Sequence, residues 1–184
     1  MLNRIITKIF TITDNLRWKS YYKVCKKNGL ELGKNVVLRN GIDFGSEPFL
    51  IKIGENSRIS SSVSFITHSG GQHIIRTVKG YEDVRIFGRI KIGKNTFVGA
   101  HSIITHNVQI GNNCIIATGS VVNSSVPDNS VFGGIPAKLI CSVEEYYERK
   151  KAQSVEYPRN LENDRPKLNA FLKENLPHHY KPVK

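Results

Sequence analysis

The sequence predicts a mainly β protein built as a solenoid of short strands, and three observations predict it. Six aliphatic residues, Ile92, Val98, Ile104, Ile110, Ile116 and Val122, stand six positions apart without a break. The residue four places after each of them is small or β-branched: Thr96, Ser102, Val108, Cys114, Ser120 and Val126. Leu32-Gly33-Lys34-Asn35 and Ile53-Gly54-Glu55-Asn56 upstream, with Ile92-Gly93-Lys94-Asn95 and Ile110-Gly111-Asn112-Asn113 within the series, repeat an aliphatic-Gly-polar-Asn unit. Helices repeat their faces every 3.6 residues and strands every second one, so a period of six fits neither. Fixed-period self-similarity marks a repeat architecture. Each hexad therefore reads as a short strand with a large residue inside, then a tight turn with a smaller residue filling the corner. Gly and Asn tolerate the left-handed backbone of such corners. Three faces close one triangular coil.

The elements follow in order. Residues 1–29 read as a helical cap, with Leu2, Ile5, Ile6, Ile9 and Phe10 near helical spacing and Asn28-Gly29 as the stop. Arg4, Lys8, Arg17, Lys19, Lys23, Lys26 and Lys27 surround that apolar material against one acid, Asp14. Such a helix suits the open end of a solenoid, which needs a cap; its basic character also suits peripheral contact with an anionic membrane surface. Residues 30–140 carry the hexads, with Ile59 and Phe65 continuing the spacing after Ile53. The stretch Gly45 to Leu50, containing Glu47-Pro48, reads as a small bulge loop. Residues 69–89 form an insertion without the six-period, and long loops in compact proteins are where function concentrates. Residues 141–184 read as a helical tail: a charged helix over Val143 to Gln153, then prolines at 158, 166, 177 and 182, with room for another helix over Pro166 to Leu176. The last few residues are expected to be loose.

Composition excludes several classes. The chain has 184 residues, a formal charge of +12 and three cysteines, Cys25, Cys114 and Cys141, without paired spacing. The simplest expectation is a reduced cytoplasmic protein. No apolar run approaches the ~20 residues that span a bilayer, and the N-terminal stretch lacks a signal-peptide cleavage region. The basic charge favours anionic partners. No nucleic-acid motif and no basic stripe interleaved with aromatics is present.

Three features together resemble the hexapeptide-repeat acyltransferases: the hexads, Thr67-His68-Ser69 at the root of the insertion, and Gly134-Ile135-Pro136-Ala137-Lys138 as a closing segment. The similarity is to the branch of galactoside, maltose and xenobiotic O-acetyltransferases, including capsule and lipopolysaccharide O-acetyltransferases. It covers about Leu30 to Ile140. It implies a left-handed parallel β-helix, a homotrimer, and acetyl-CoA as co-substrate, with no metal. The implied reaction is direct transfer to a sugar hydroxyl in a ternary complex, with surface polysaccharide biosynthesis as its setting.

Such a transfer needs a base for the hydroxyl proton and a donor for the developing oxyanion. Histidine titrates near neutrality and suits the first role. The chain offers His68, His73, His101, His106, His178 and His179. The resemblance places the catalytic base at His68. It also gives Asp43 and Asn40, one coil earlier, as candidates for orienting the base and the acceptor. The amide of Ala100 would face the thioester oxygen, Thr118 and Gly119 would line the pantetheine arm, and Lys138 would sit near the coenzyme phosphates. The coenzyme would lie in a groove between neighbouring subunits. Phe97 stands where many relatives carry Trp, at a position that contacts the acceptor.

Other readings stay open at this point. An amino sugar or nucleotide sugar could be N-acetylated instead. His101 and His106 stand five apart with His68 upstream, as in γ-class carbonic anhydrases, where three histidines bind zinc. A non-catalytic scaffold would bind no coenzyme. The sequence does not name the acceptor, the position acetylated or the preferred acyl chain.

Overall fold

The computed structural model describes residues 2–78, 81, 84–151 and 153–176, the side chains of Leu2 and Arg4 excepted. Gly80, Pro177, His178, His179, Pro182 and the end of the tail lie outside the described residues. The chain divides into two compact units, Met1–Tyr146 and Tyr147–Lys184.

The first unit is a left-handed parallel β-helix with three faces. One face stacks Glu31–Leu32, Ile51–Ile53, Ile90–Ile92 and Val108–Ile110. The second stacks Val37–Leu38, Arg58–Ile59, Phe97–Val98, Ile115–Ile116 and Ser130–Gly134. The third stacks Ser64–Ile66, Ile103–Thr105 and Val121–Val122, with Asp43 bridging Ser64 below. Neighbours pair in parallel, Ile53 beside Ile92 and Ile92 beside Ile110, so three hexads make each coil.

The hexad anchors are all buried, and so are the corner residues Thr96, Ser102, Val108, Cys114, Ser120 and Val126. Stacking gives one continuous apolar column. The small polar corner residues bond the next coil's backbone: Ser57 Oγ donates to the Gly93 carbonyl and Thr96 Oγ1 to that of Gly111, each at 2.8 Å. Buried hydroxyls are thereby satisfied, which burial demands.

The aliphatic-Gly-polar-Asn unit divides its labour differently from the expectation that both Gly and Asn supply left-handed backbone. Only the asparagines do: Asn35, Asn56, Asn95 and Asn113 have φ of 53 to 57°. Their side chains form a ladder up the stack, continued by Asn129, with amide-to-oxygen distances of 2.9 to 3.3 Å. The glycines are needed for space. A Cβ on Gly54 would meet the Gly93 carbonyl oxygen at 2.6 Å, because the coils' backbones touch there.

Helix α1 (Leu2–Lys27) ends at Gly29, whose φ of 94° suits glycine. Only its second half docks, beginning at Asp14 and Asn15, which accept from Asn40. Cys25 joins the core, and Tyr21 and Tyr22 pack on Phe44, which stacks in turn on Phe65. The Tyr21 hydroxyl donates to Asp43 and accepts from the Phe44 amide; the Tyr22 hydroxyl donates to the Arg39 carbonyl. Burial pushes the Tyr21 phenol up to about 12 and raises that of Tyr22 as well.

Within the insertion a short helix, α2 (Gln72–Thr77), forms where the sequence shows no periodic signal. After the last coil the chain turns back, and Ala137–Ser142 pairs antiparallel with Ser130–Gly134. The closing segment Gly134-Ile135-Pro136-Ala137-Lys138 is the tip of that hairpin. Helix α3 (Val143–Lys151) begins at a reciprocal cap in which Ser142 and Glu145 each bond the other's amide. The second unit holds helix α4 (Arg165–Asn175), capped by Asp164 accepting from the Lys167 amide.

Candidate active site

His68 follows the strand Ser64–Ile66 on the third face, two residues past its outward-facing Ile66. Strand alternation therefore turns its ring outward. Its backbone pairs with Phe87, Ser69 donates to the Ile86 carbonyl, and Gly88 donates to the Thr67 carbonyl. The two limbs of the insertion are thus zipped together at its root. Gln72, buried on α2, accepts from the Ile86 amide at 2.6 Å and pins the helix to the returning limb. The Phe87 ring lies 5.9 Å from that of His68. The His68 side chain stays 40% exposed, open to a substrate.

The carboxylate beside His68 is Glu47. Its Oε2 lies 2.9 Å from His68 Nδ1 and accepts from the Thr67 hydroxyl at 2.6 Å. Thr67 is buried, and Glu47 sits in the bulge loop, just ahead of the 3-10 turn Pro48–Leu50 with Pro48 buried. Bonding from Thr67, and then from His68, holds the Glu47 carboxyl below its usual range, so it is ionised near neutral pH. An ionised carboxylate only accepts, so Nδ1 carries a proton toward Glu47, and in the neutral ring the lone pair is then on Nε2.

Asp43 and Asn40, the sequence-stated candidates for orienting the base, are engaged elsewhere. Asp43 accepts from the Gly45 amide at 2.9 Å and from Tyr21. Asn40 donates to Asn15 at 2.7 Å and toward Asp14 on α1. Glu47 was named in the sequence only as part of a bulge. The available signal was its position: a carboxylate inserted beside a break in the repeat, one coil before the histidine.

The coenzyme candidates gather at another edge. Gly41, Ser62, His101 and Gly119 occupy one left-handed corner between the second and third faces. The residues before them, Asn40, Ser61, Ala100 and Thr118, stack in a column linked by amide-to-carbonyl bonds: Ser62 to Asn40, His101 to Ser61 and Gly119 to Ala100. Among the described residues the amides of Ala100 and Thr118 donate to no protein acceptor. They are two free donors, one coil apart. Exposed Lys138 pairs with Gly133 at the top of this column. Phe97, partly exposed, lies three residues before the corner on the second face, between Arg58 and Ile115.

Among the described residues the other histidines do not join His68. His73 is exposed on α2 and His101 occupies the left-handed corner. His106 precedes the left-handed Asn107, and its buried Nδ1 has no hydrogen-bond partner among the described residues. Among the described residues of one chain no three His, Cys, Asp or Glu side chains converge to hold a metal. No described helix is long and apolar enough to cross a membrane.

The bacterial transferase hexapeptide (six repeats) pattern matches residues 89–124. Protein CapG of Staphylococcus aureus is 48% identical over 135 residues, covering 72% of this chain and 76% of that protein. The chain belongs to the hexapeptide-repeat acetyltransferases. The galactoside O-acetyltransferase of Escherichia coli is 25% identical over 132 residues, 69% of this chain and 63% of that enzyme. Among solved structures, a maltose O-acetyltransferase from Clostridium difficile 630 superposes with a TM-score of 0.54 over 68% of this chain and 75% of its own, at 20% identity. That likeness is one of fold. The match with the hexapeptide pattern falls on the unbroken hexads, and His68 lies outside it.

Proposed function

We propose that this acetyltransferase moves the acetyl group of acetyl-CoA to a hydroxyl of a saccharide, with His68 as general base and Glu47 as its orienting partner. The observation that carries this is the Thr67–Glu47–His68 arrangement at the root of the insertion. An ionised carboxylate fixes Nδ1–H and leaves Nε2 free to take a proton, and that acceptor has a use when the nucleophile is a hydroxyl. A neutral amine is nucleophilic already and needs less from such a base. The saccharide class rests on the galactoside O-acetyltransferase relative. A surface polysaccharide or its precursor is the proposed setting.

In the proposed step His68 Nε2 takes the hydroxyl proton as the oxygen bonds to the acetyl carbon. The Ala100 amide stabilises negative charge on the carbonyl oxygen. The carbon–sulfur bond then breaks, and His68 returns the proton to the departing thiolate. Glu47 supports the imidazolium in between. Thr118 and Gly119 would line the arm of the coenzyme and Lys138 its phosphates. Asp43, Asn40 and Phe97 remain acceptor-contact candidates, and Glu47 takes the orienting role first given to Asp43 and Asn40.

One chain does not complete this site. Ser64 aligns with Ile103, so the Ala100 corner sits level with Ser61, seven residues before His68. At about 3.3 Å per residue the base and the donor amides lie roughly 20 Å apart, across the whole third face. A neighbouring subunit must bring its own Ala100 corner to His68. Closed cyclic symmetry provides this at every interface, and three-sided coils favour a homotrimer.

The test separates ester from amide. The protein is incubated with acetyl-CoA and a panel of monosaccharides, amino sugars, nucleotide sugars and oligosaccharides, and the product is treated with mild alkali. A labile acetyl group supports O-transfer. An alkali-stable acetyl group made only on amino sugars would overturn it.

A further inference from the structure

We infer that the projecting part of α1 is a self-association element: its apolar seam packs against the same seam of two further copies, as a short parallel three-helix bundle. The inference rests on the homotrimer proposed above. Ile5, Ile9, Ile12 and Leu16 are spaced 4, 3 and 4 residues apart, and Leu2 extends the alternation one step in sequence. That is the spacing of heptad a and d positions. Leu2, Ile9 and Leu16 take a; Ile5 and Ile12 take d. Leucine at a with isoleucine at d, or isoleucine at both, shifts parallel coiled coils away from two strands toward three or four.

The structure leaves this seam uncovered. Ile5, Ile9, Ile12 and Leu16 are 51 to 60% exposed, and Ile6 and Phe10 beside them are also exposed. The docked residues Tyr21, Tyr22 and Cys25 fall on the opposite side of the helix, so contact with the chain's own coils turns the seam away from them. Before Asp14 the side-chain hydrogen bonds are local: Thr7, Thr11 and Thr13 donate to carbonyls one turn back. A lone helix of this length is marginal in water, so it needs a partner. Holding three chains together by their coils raises the effective concentration of the helices, which lets a two-heptad seam suffice.

Charge favours copies of this helix over a lipid surface. A membrane-surface helix carries its cations along the polar face opposite its apolar one. Here five of the seven cations of α1 fall at 17–27, beyond the seam, and the seam's own stretch holds only Arg4 and Lys8 against Asp14. Few like charges meet when the seams join.

The experiment uses the full chain, whose three native cysteines are buried and give little background. Ile12→Cys places a thiol at d; Thr7→Cys places one at f, facing away. Sedimentation first establishes the oligomeric state of each. Mild oxidation of a trimeric Ile12→Cys should give covalent dimers at least tenfold faster than Thr7→Cys. A trimer in which Ile12→Cys does not cross-link, or cross-links no faster than Thr7→Cys, overturns the seam while leaving the trimer standing. A monomeric chain overturns both. Ile12→Glu is assayed alongside on phosphatidylglycerol vesicles: if the wild type binds them and the variant loses binding yet stays as tight a trimer, the seam belongs to a membrane and the inference fails.

Discussion

Replacing Glu47 by Gln tests the site where the structure is most specific. The change is isosteric, and the Gln oxygen still accepts from the buried Thr67 hydroxyl, so the bulge loop keeps its anchor. What disappears is the charge beside Nδ1 at 2.9 Å. A hydrogen bond to a charged group contributes about 1.5 to 3 kcal/mol. That interaction grows when His68 becomes an imidazolium during transfer, so its loss falls on the transition state rather than on substrate binding. At about 1.4 kcal/mol per factor of ten, the expected fall in kcat is roughly 10- to 100-fold. The Gln amide can also turn its NH2 group toward Nδ1, which would favour the wrong tautomer and deepen the loss. The assay is thiol release from acetyl-CoA at saturating donor, with KM for acetyl-CoA measured in parallel to separate loss of transition-state support from loss of coenzyme binding. A kcat within about twofold of wild type would refute the reasoning, as would an effect confined to KM.

Four further outcomes are expected. As pH rises above about 10 toward 12, the neutral phenols that α1 buries must ionise; Tyr21 has its folded value raised to about 12, so stability is intact below pH 10 and is lost through that window. Fluorescence of Trp18, the sole tryptophan, should report α1 undocking there, and Tyr21→Phe should blunt the step. On the acid side the Glu47 carboxyl is held low, so the Thr67–His68 clamp is present above the ordinary glutamate range and weakens only as pH falls through the lowered value; hydrogen exchange at the Ser69 and Gly88 amides reads this. Asn95→Ala puts a Cβ residue without a compensating side chain at φ 53° and breaks two rungs of the ladder; it should cost about 2 kcal/mol in urea unfolding, and Asn95→Gly about half of that. Ile116→Ala empties a fully buried position in the column and should cost about 2 to 5 kcal/mol.

The solenoid was legible because its constraint is local and repeated. Every hexad buries one large residue and turns one corner, so Ile92 to Val126 announces itself without long-range information. The place of His68 at the root of the insertion was legible for a related reason: the hexads stop there. Glu47 was not legible because it occupies a break in the repeat, where register can no longer be counted along the chain. Asp43 and Asn40 looked nearer in register, yet α1 folds back and takes their side chains. The role of the repeat glycines was misread because sequence shows that a residue is small but not whether torsion or space requires it. The closing hairpin escaped because Gly134-Ile135-Pro136 reads as a stop, while the reversal depends on pairing of Val131 with Cys141. The cap helix was placed within a residue or two, but spacing alone did not show that only its second half would touch the coils.

The most direct test of the central claim is acetyl transfer to saccharide hydroxyls by wild type and His68→Ala, followed as thiol release from acetyl-CoA. Removing a general base costs about 10²- to 10⁴-fold. The account predicts turnover on at least one saccharide with a loss of that size in His68→Ala and unchanged binding of acetyl-CoA. Turnover that survives the substitution within a few-fold would contradict it.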